Sequence, residues 1–521
     1  MKKNYVNCVI YGSEDTAFAT EGNRIVSTGK TDDILAGVTP VEEVVDLNGM
    51  FVVPGFIDSH MHLLELGHYL FNADLSGCRS NEDIRKELNA FCTRNPDAEW
   101  IIGRGYHEDT FTDHSVPDRE FLDSVSADKP AAITRACGHV MTVNTKALEA
   151  AGISGDLEVD GGRVTWSTGL VEENAIHLIH DAQPKHTPEM LMKYIETGSS
   201  YCNAKGITVA GSDDFLSVAK DSRLVQDVFE KMAYQGRMTV RVNEQCEFED
   251  IKTFARFLDD GYTMDVGNDY FRIGPLKLIT DGSLGARTAA MSKPYHDDPK
   301  TSGYMSMSDE DIEMFVKLAN RFNMGTICHA IGDDAVQRVL DVFKDNVLPG
   351  NPLHHGLVHC QIMTRSQIDQ VLRQKLSCYI QSQFIDYDAS ILAARAGKLL
   401  AKTSYPFRTL FEGTLTSNGS DGPVEMPDPL FGIQMAVTRK SVNHDASMTQ
   451  DECMTVEQAI DSFTVCGAKQ LFMEDRLGQI KEGYLADFAV IDQDIRKMDP
   501  EKISTAKIVM TVMDGEEVYA G

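Results

Sequence analysis

The sequence predicts an α/β chain: a parallel (β/α)8 barrel of the TIM type, a small β-sandwich built from both termini, and a large insert after the first barrel strand. Three observations carry this prediction. Eight short apolar runs rich in β-branched residues alternate with helical stretches. Both chain ends are β-rich, and each is too short to build a core alone. The interval between His62 and Gly206 is far longer than one strand-to-strand crossover needs.

The elements follow in chain order. Residues 1–50 and 475–521 are assigned to the sandwich. Gly22-Asn23 and Asp514-Gly515 each separate two apolar runs and are read as two-residue hairpin turns. The barrel is assigned to 51–68 and 185–474. Its strands are expected at 51–57, 206–209, 238–243, 271–280, 325–329, 356–359, 376–381 and 414–418. Helical patterns lie between most of them, such as DEDIEMFVKLANRF before the fifth. Residues 69–184, with Gly- and β-rich segments such as WIIGRGYHEDTF and GGRVTWSTGLVEEN, form an inserted subdomain expected over the active-site mouth. After the barrel, Thr455 and Gln458 make a capping box for a helix running to about Leu471.

Composition limits the function classes. The 521 residues are 42% hydrophobic and 25% charged, an ordinary globular balance. With 49 Lys and Arg against 79 Asp and Glu, the net charge is −30. Nucleic acid and anionic membrane surfaces are therefore poor partners. No run reaches the roughly 20 apolar residues of a membrane helix, and the N-terminal stretch does not read as a signal peptide. Eleven cysteines without a CxxC pair fit a reducing cytoplasm. The expected partner is a small-molecule substrate, with a homodimer left open.

The chemistry gathers at strand ends. The run FVVPGFIDSHMH ends in His60-x-His62, and alternate side chains of a strand share a face, so both imidazoles can reach one metal ion. Strand five ends at His329, strand six at His359, and strand eight runs into Asp421. Each places a metal-capable group at the carboxyl end of a strand, where barrel enzymes keep their chemistry. One histidine alone is more often a satisfied core residue, but that reading does not explain the common placement. Lys277 on strand four shares a face with Ile273 and Ile279 and would point into the barrel. Burial of a lysine needs a partner. Two solutions stay open: a carbamate formed with carbon dioxide, which can bridge two cations, or an ion pair with Asp281 or Asp421.

These motifs resemble the amidohydrolase superfamily, and more narrowly its family 3 branch that includes N-substituted formamide deformylase. The resemblance rests on PGFIDSHMH, on Lys277, His329, His359 and Asp421, on RLGQIKEGYLAD at 476–487, and on segments such as CGHV at 137–140 and TGLVE at 168–172. It implies a hydrolase of a carbon–nitrogen bond other than a peptide bond, an amide or N-acyl group and in the narrowest form N-formyl. One or two zinc-like ions are implied per chain. His60, His62 and Asp421 would hold one, and His329 and His359 a second, with carboxylated Lys277 as the bridge. Metal-activated hydroxide would attack, with Asp421 as general acid and base.

His139, Glu172 and Arg287 are candidate substrate contacts. Alternatives are an aminohydrolase (deaminase) or esterase on the same scaffold, or a non-catalytic binding or regulatory protein. The deaminase reading expects a glutamate just after the fifth-strand histidine; here Ala-Ile-Gly-Asp-Asp follows, leaving Asp333 as its only substitute.

Overall fold

The structure is a computed structural model that describes all residues other than 1, 108–109, 112–114 and 265. Glu108 and Asp109 of the segment WIIGRGYHEDTF therefore lie outside the described residues. The chain forms two compact units, one of Met1–Leu66 with Gly198–Gly521 and one of Gly67–Thr197.

The first unit holds an eight-stranded, all-parallel sheet. Its strands are Phe56–Met61 (β1), Ile207–Ser212 (β2), Arg241–Cys246 (β3), Phe271–Ile279 (β4), Thr326–Ala330 (β5), Gly356–His359 (β6), Ser377–Ile380 (β7) and Thr416–Asn418 (β8). They neighbour one another in that order. Hydrogen bonds join the two end strands into a barrel. Ser59 Oγ donates to the Asn418 carbonyl at 2.9 Å and lies 2.8 Å from Ser417 Oγ. The Asp421 amide donates to the His60 carbonyl at 2.8 Å. All six residues of β1, β2 and β3 are buried, as parallel strands covered on both faces require.

The helices begin where the sequence offers caps. Ser308 caps Asp309–Arg321 and Asp221 caps Ser222–Tyr234 through their side-chain oxygens. The Thr455–Gln458 capping box is present. The run it starts is broken into Val456–Ser462 and Val465–Gln470, because Thr464 (φ −133°, ψ −90°) leaves the helical conformation.

The expected first strand divides in two. Phe51–Pro54 pairs antiparallel with Phe488–Ile491, beside Val9–Ile10, in a five-stranded terminal sheet. Phe56–Met61 then opens the barrel. Pro54 has no N–H to donate, and a Cβ at Gly55 would meet Thr208 Oγ1 at 2.2 Å, so the chain turns from one sheet to the other at this Pro-Gly.

A second, four-stranded sheet contains Lys2–Val6, Ala17–Glu21, Arg24–Gly29 and Glu43–Asp46. Tyr5, Phe18 and Phe488 join the two sheets, with ring centroids 4.9–5.0 Å apart. The terminal hairpins form at both expected turns. Asp514 and Gly515 have φ of 57° and 79°, as a type I′ turn demands.

Taken by itself, the Gly67–Thr197 unit has a seven-stranded mixed sheet. One core gathers around Leu75, Leu88 and Ile133, and another around Met141, Leu148 and Ile179. Among the described residues, no helix is long and apolar enough to cross a membrane.

One buried ion pair ties the sandwich to the barrel. Arg241, at the start of β3, makes two bonds to Asp487 at 2.8 and 2.9 Å and a third to Asp514 at 2.8 Å. Arg241 and Asp487 are each only 1% exposed. Removing one partner strands the other charge without water, which costs about 3–5 kcal/mol. R241Q should therefore lower the thermal unfolding midpoint markedly, whereas R163Q, which removes an exposed pair with Glu172, should leave it nearly unchanged.

Candidate metal centre

The three residues at the junction of β1 and β8 come together. His60 Nε2 and His62 Nε2 lie 3.3 and 3.1 Å from Asp421 Oδ1, and the ligand atoms of all three fall within 4.8 Å of one another. Two ligands about 2.0–2.1 Å from one zinc ion at the tetrahedral angle lie about 3.3 Å apart. The observed separations match that edge.

The far side of each ring fixes its proton. His62 Nδ1 lies 2.6 Å from the Asp213 carbonyl, which only accepts, so Nδ1 carries hydrogen. His60 Nδ1 lies 2.6 Å from Gln245 Oε1, and the amide nitrogen of Gln245 is committed to the Ser59 carbonyl at 2.8 Å. His359 Nδ1 is held by Gln381 Oε1 at 2.8 Å in the same way, with that amide nitrogen donating to the Tyr379 carbonyl. All three Nε2 atoms thus face inward. Anchoring one ring nitrogen to present the other is how proteins orient imidazole ligands.

His329 uses the opposite nitrogen. Its Nε2 faces two acceptors, the Gly282 carbonyl at 3.1 Å and Asp281 Oδ1 at 3.4 Å. Its Nδ1 lies 2.9 Å from His359 Nε2. A proton on one of the two nitrogens, or a metal ion held by both, satisfies that contact. The donor set therefore fits a divalent ion, from His60, His62 and Asp421 and again from His329 and His359. The two groups adjoin, with the His60 and His359 ring centroids 5.7 Å apart.

Lys277 is buried, and its Nζ donates to Asp213 Oδ2 at 3.0 Å. The sequence offered Asp281 or Asp421 as its ion-pair partner; the partner is instead Asp213, the aspartate that follows β2. Asp281 is occupied by the amides of Ala290, Ile331 and Gly332. Burial works to lower the Lys277 pKa, but the charges of Asp213 and Glu247 outweigh it and raise it.

The remaining candidates sit in local pairs. Arg287 forms a two-point pair with Asp297 at 3.0 and 3.1 Å. In the other unit, His139 Nδ1 lies 2.9 Å from Glu173, and Glu172 pairs with Arg163. Asp333 accepts from the Ser292 amide at 2.9 Å and from its hydroxyl, at the start of helix Asp333–Asn346.

Asp213, Gln245, Glu247 and Gln381 were not singled out from sequence. Each lies at or just past the carboxyl end of a barrel strand. A scan for any polar residue there, not only histidine and aspartate, finds all four.

Burial opposes the charged form of Asp421, yet the close imidazoles of His60 and His62 win and hold its carboxyl well below the usual range. Burial likewise opposes a proton on His62, but the Asp421 bond and the charges of Asp213 and Asp421 raise it to about 10. Burial keeps His60 and His359 below their ordinary values. The metal-free centre is thus a neutral His60 and an imidazolium at His62 beside an ionised Asp421.

Comparison with known proteins places this centre in context. The sequence profile described as "Amidohydrolase family" matches residues 43–519. A putative amidohydrolase of Bacillus subtilis, YtcJ, is 32% identical over 519 residues, covering 96% of this chain and 97% of that one. The N-substituted formamide deformylase of Arthrobacter pascens is 24% identical over 527 residues, covering 96% and 94%. A solved structure from Pyrococcus furiosus, described as an uncharacterized metal-dependent hydrolase, superposes with a TM-score of 0.78 at 27% identity and covers 96% of this chain and all of its own.

The His62 proton gives a direct check on the centre. Its raised pKa keeps it protonated at neutral pH, so a metal ion must displace that proton. Zinc binding should release about one proton near pH 7, and apparent affinity should rise about tenfold per pH unit until pH approaches 10. Calorimetry in buffers of different ionisation enthalpy reads the released proton. Q245L, which frees the far side of His60, should weaken zinc about 10–100-fold.

Proposed function

This chain belongs to the amidohydrolase family, and from that premise we propose that it hydrolyses a carbon–nitrogen bond of a small molecule, an amide or N-acyl group and in the narrowest form N-formyl. Metal-dependent hydrolysis is the coarser statement, supported by the family match and by the described function of the Pyrococcus furiosus structure. The observation that carries the reading is the convergence of His60, His62 and Asp421, whose ligand atoms all lie within 4.8 Å of one another with the far ring nitrogens of both histidines held in place. Such a set fits a divalent cation.

His60, His62 and Asp421, with His329 and His359 beside them, would hold a divalent ion such as zinc, which would supply an acidified water and polarise the scissile carbonyl. The chain's own groups do the rest. Asp421, kept ionised, accepts a proton and delivers it to the departing nitrogen. His60, His62 and His359 are locked in orientation by Gln245, the Asp213 carbonyl and Gln381, so no reorganisation is needed as the reaction proceeds.

Lys277 is the residue we assign to carboxylation. With divalent ions held beside it, the ammonium would lose its proton to solvent, out of the ion pair with Asp213. The freed amine would then add to carbon dioxide and lose a second proton to solvent, leaving an anionic carbamate. A carbamate carbon resonance in metal-loaded protein supplied with 13C-bicarbonate, absent in K277A, is the expected result. Its absence from fully active protein would leave Lys277 as an ion-pair residue only.

The deaminase alternative loses its substitute acid, since Asp333 is engaged by Ser292. The formamide deformylase, as a relative along nearly the whole chain, favours acyl transfer. A hydrolysis screen across formamides, N-acyl amino acids, cyclic amides and esters tests the assignment. A turned-over amide should lose at least about 100-fold in kcat in D421N. Turnover confined to esters or ring amines, or an undiminished D421N, would overturn it.

A further inference from the structure

Asp58 lies on β1 two residues before His60 and is only 1% exposed. By the strand period of two it shares a face with His60. Yet the ligand atoms that converge are those of His60, His62 and Asp421, without Asp58. Its carboxylate is committed to backbone instead. Asp58 Oδ1 accepts from the His60 amide at 3.3 Å and from the Ser420 amide at 3.0 Å. Asp58 and Ser420 are 362 positions apart in the chain. One oxygen therefore joins the backbone of an imidazole ligand to the residue that precedes Asp421.

The approach is close because residue 419 is glycine. A Cβ at Gly419 would come within 2.6 Å of the His60 amide nitrogen, and within 2.7 Å of both Asp58 Oδ1 and the His60 carbonyl oxygen. A larger residue would push the exit of β8 away from β1. Past this point the two backbones stay together. The Asp421 amide donates to the His60 carbonyl, and the His62 amide to the Gly422 carbonyl, each at 2.8 Å. Ser420 Oγ accepts from the Gly422 amide at 3.0 Å. Asp421 itself has φ of 60°, a left-handed conformation that a residue with a side chain keeps only where its surroundings hold it. Asp58 sits where both ligand-bearing segments can be held at once.

We propose that Asp58, seated against Gly419, is a positioning residue that fixes the spacing at which His60 and Asp421 reach one ion. It acts through the two backbones and touches neither the ion nor substrate. The inference rests on the metal-centre reading and adds to it the side chain that sets its geometry. His60 Nε2 and Asp421 Oδ1 lie 3.3 Å apart, the edge that two ligands of one zinc ion need. A site of this kind loses function when its supports let it slacken by about 1 Å.

Competition with a chromogenic chelator reads zinc affinity in the full-length chain. Ligand-field absorption of the cobalt(II)-loaded protein reads the geometry of the centre. D58A leaves both amides without their acceptor, and should weaken zinc about 10–100-fold and reduce the cobalt absorption. D58N keeps an oxygen that can accept from the same two amides, and should restore most of both. R241Q removes a buried ion pair at the start of β3, the other end of the barrel, and should leave zinc affinity and the cobalt spectrum as in the parent. Parental affinity and spectrum in D58A would overturn the proposal. So would D58N no better than D58A, or R241Q weakening zinc as much as D58A does. Should D58A fail to fold, G419A decides, because it wedges the same backbones apart with Asp58 in place; it should weaken zinc likewise, and parental affinity would overturn the proposal. A parent chain that binds no zinc would overturn the metal-centre reading, and this proposal with it.

Discussion

Five acceptor atoms face one another at the mouth of this barrel: Nε2 of His60, His62 and His359, Nδ1 of His329, and the Asp421 carboxylate. Such an arrangement is repulsive unless positive charge sits within it. In the metal-free chain the proton on His62 and the buried Lys277 ammonium supply part of that charge. The rest of the structure serves to hold these atoms inward. Gln245, Gln381 and the Asp213 carbonyl pin the far ring nitrogens, and each of those anchors is itself fixed by a strand end. Preorganisation of this kind places the cost of assembling the site in folding, before any substrate arrives.

The barrel is what makes convergence possible. Residues 361 positions apart, His60 and Asp421, become neighbours because β1 and β8 close on each other. The two terminal sheets form a sandwich around Tyr5, Phe18 and Phe488, and the buried Arg241–Asp487–Asp514 group ties them to β3. β1 in turn is positioned by the Pro54-Gly55 break, where one apolar run serves two sheets. A barrel strand that begins inside a different domain inherits its direction from that domain.

Much of this was legible in the sequence for a simple reason. Side chains alternate along a strand with a period of two, so His60 and His62 had to share a face, and apolar runs ending in histidine or aspartate marked the chemical end of the barrel. The hairpins at Gly22-Asn23 and Asp514-Gly515 were equally readable, since two-residue turns need backbone conformations that few residues adopt. Contacts between distant strands were not readable. Lys277 finds Asp213, 64 residues earlier, rather than either aspartate suggested by proximity to the site. The split of 51–57 between two sheets was hidden because both halves are apolar and β-branched. The anchors Gln245 and Gln381 escaped because glutamine is not a metal ligand, and its role appears only through the ring it holds.

The central claim is that His60, His62 and Asp421 hold a divalent ion. Anomalous diffraction from crystals grown with zinc tests it most directly. The account predicts a strong zinc peak about 2.0–2.2 Å from His60 Nε2, His62 Nε2 and an Asp421 carboxylate oxygen together. A catalytically competent preparation whose zinc lies elsewhere, with these three side chains unligated, would contradict it.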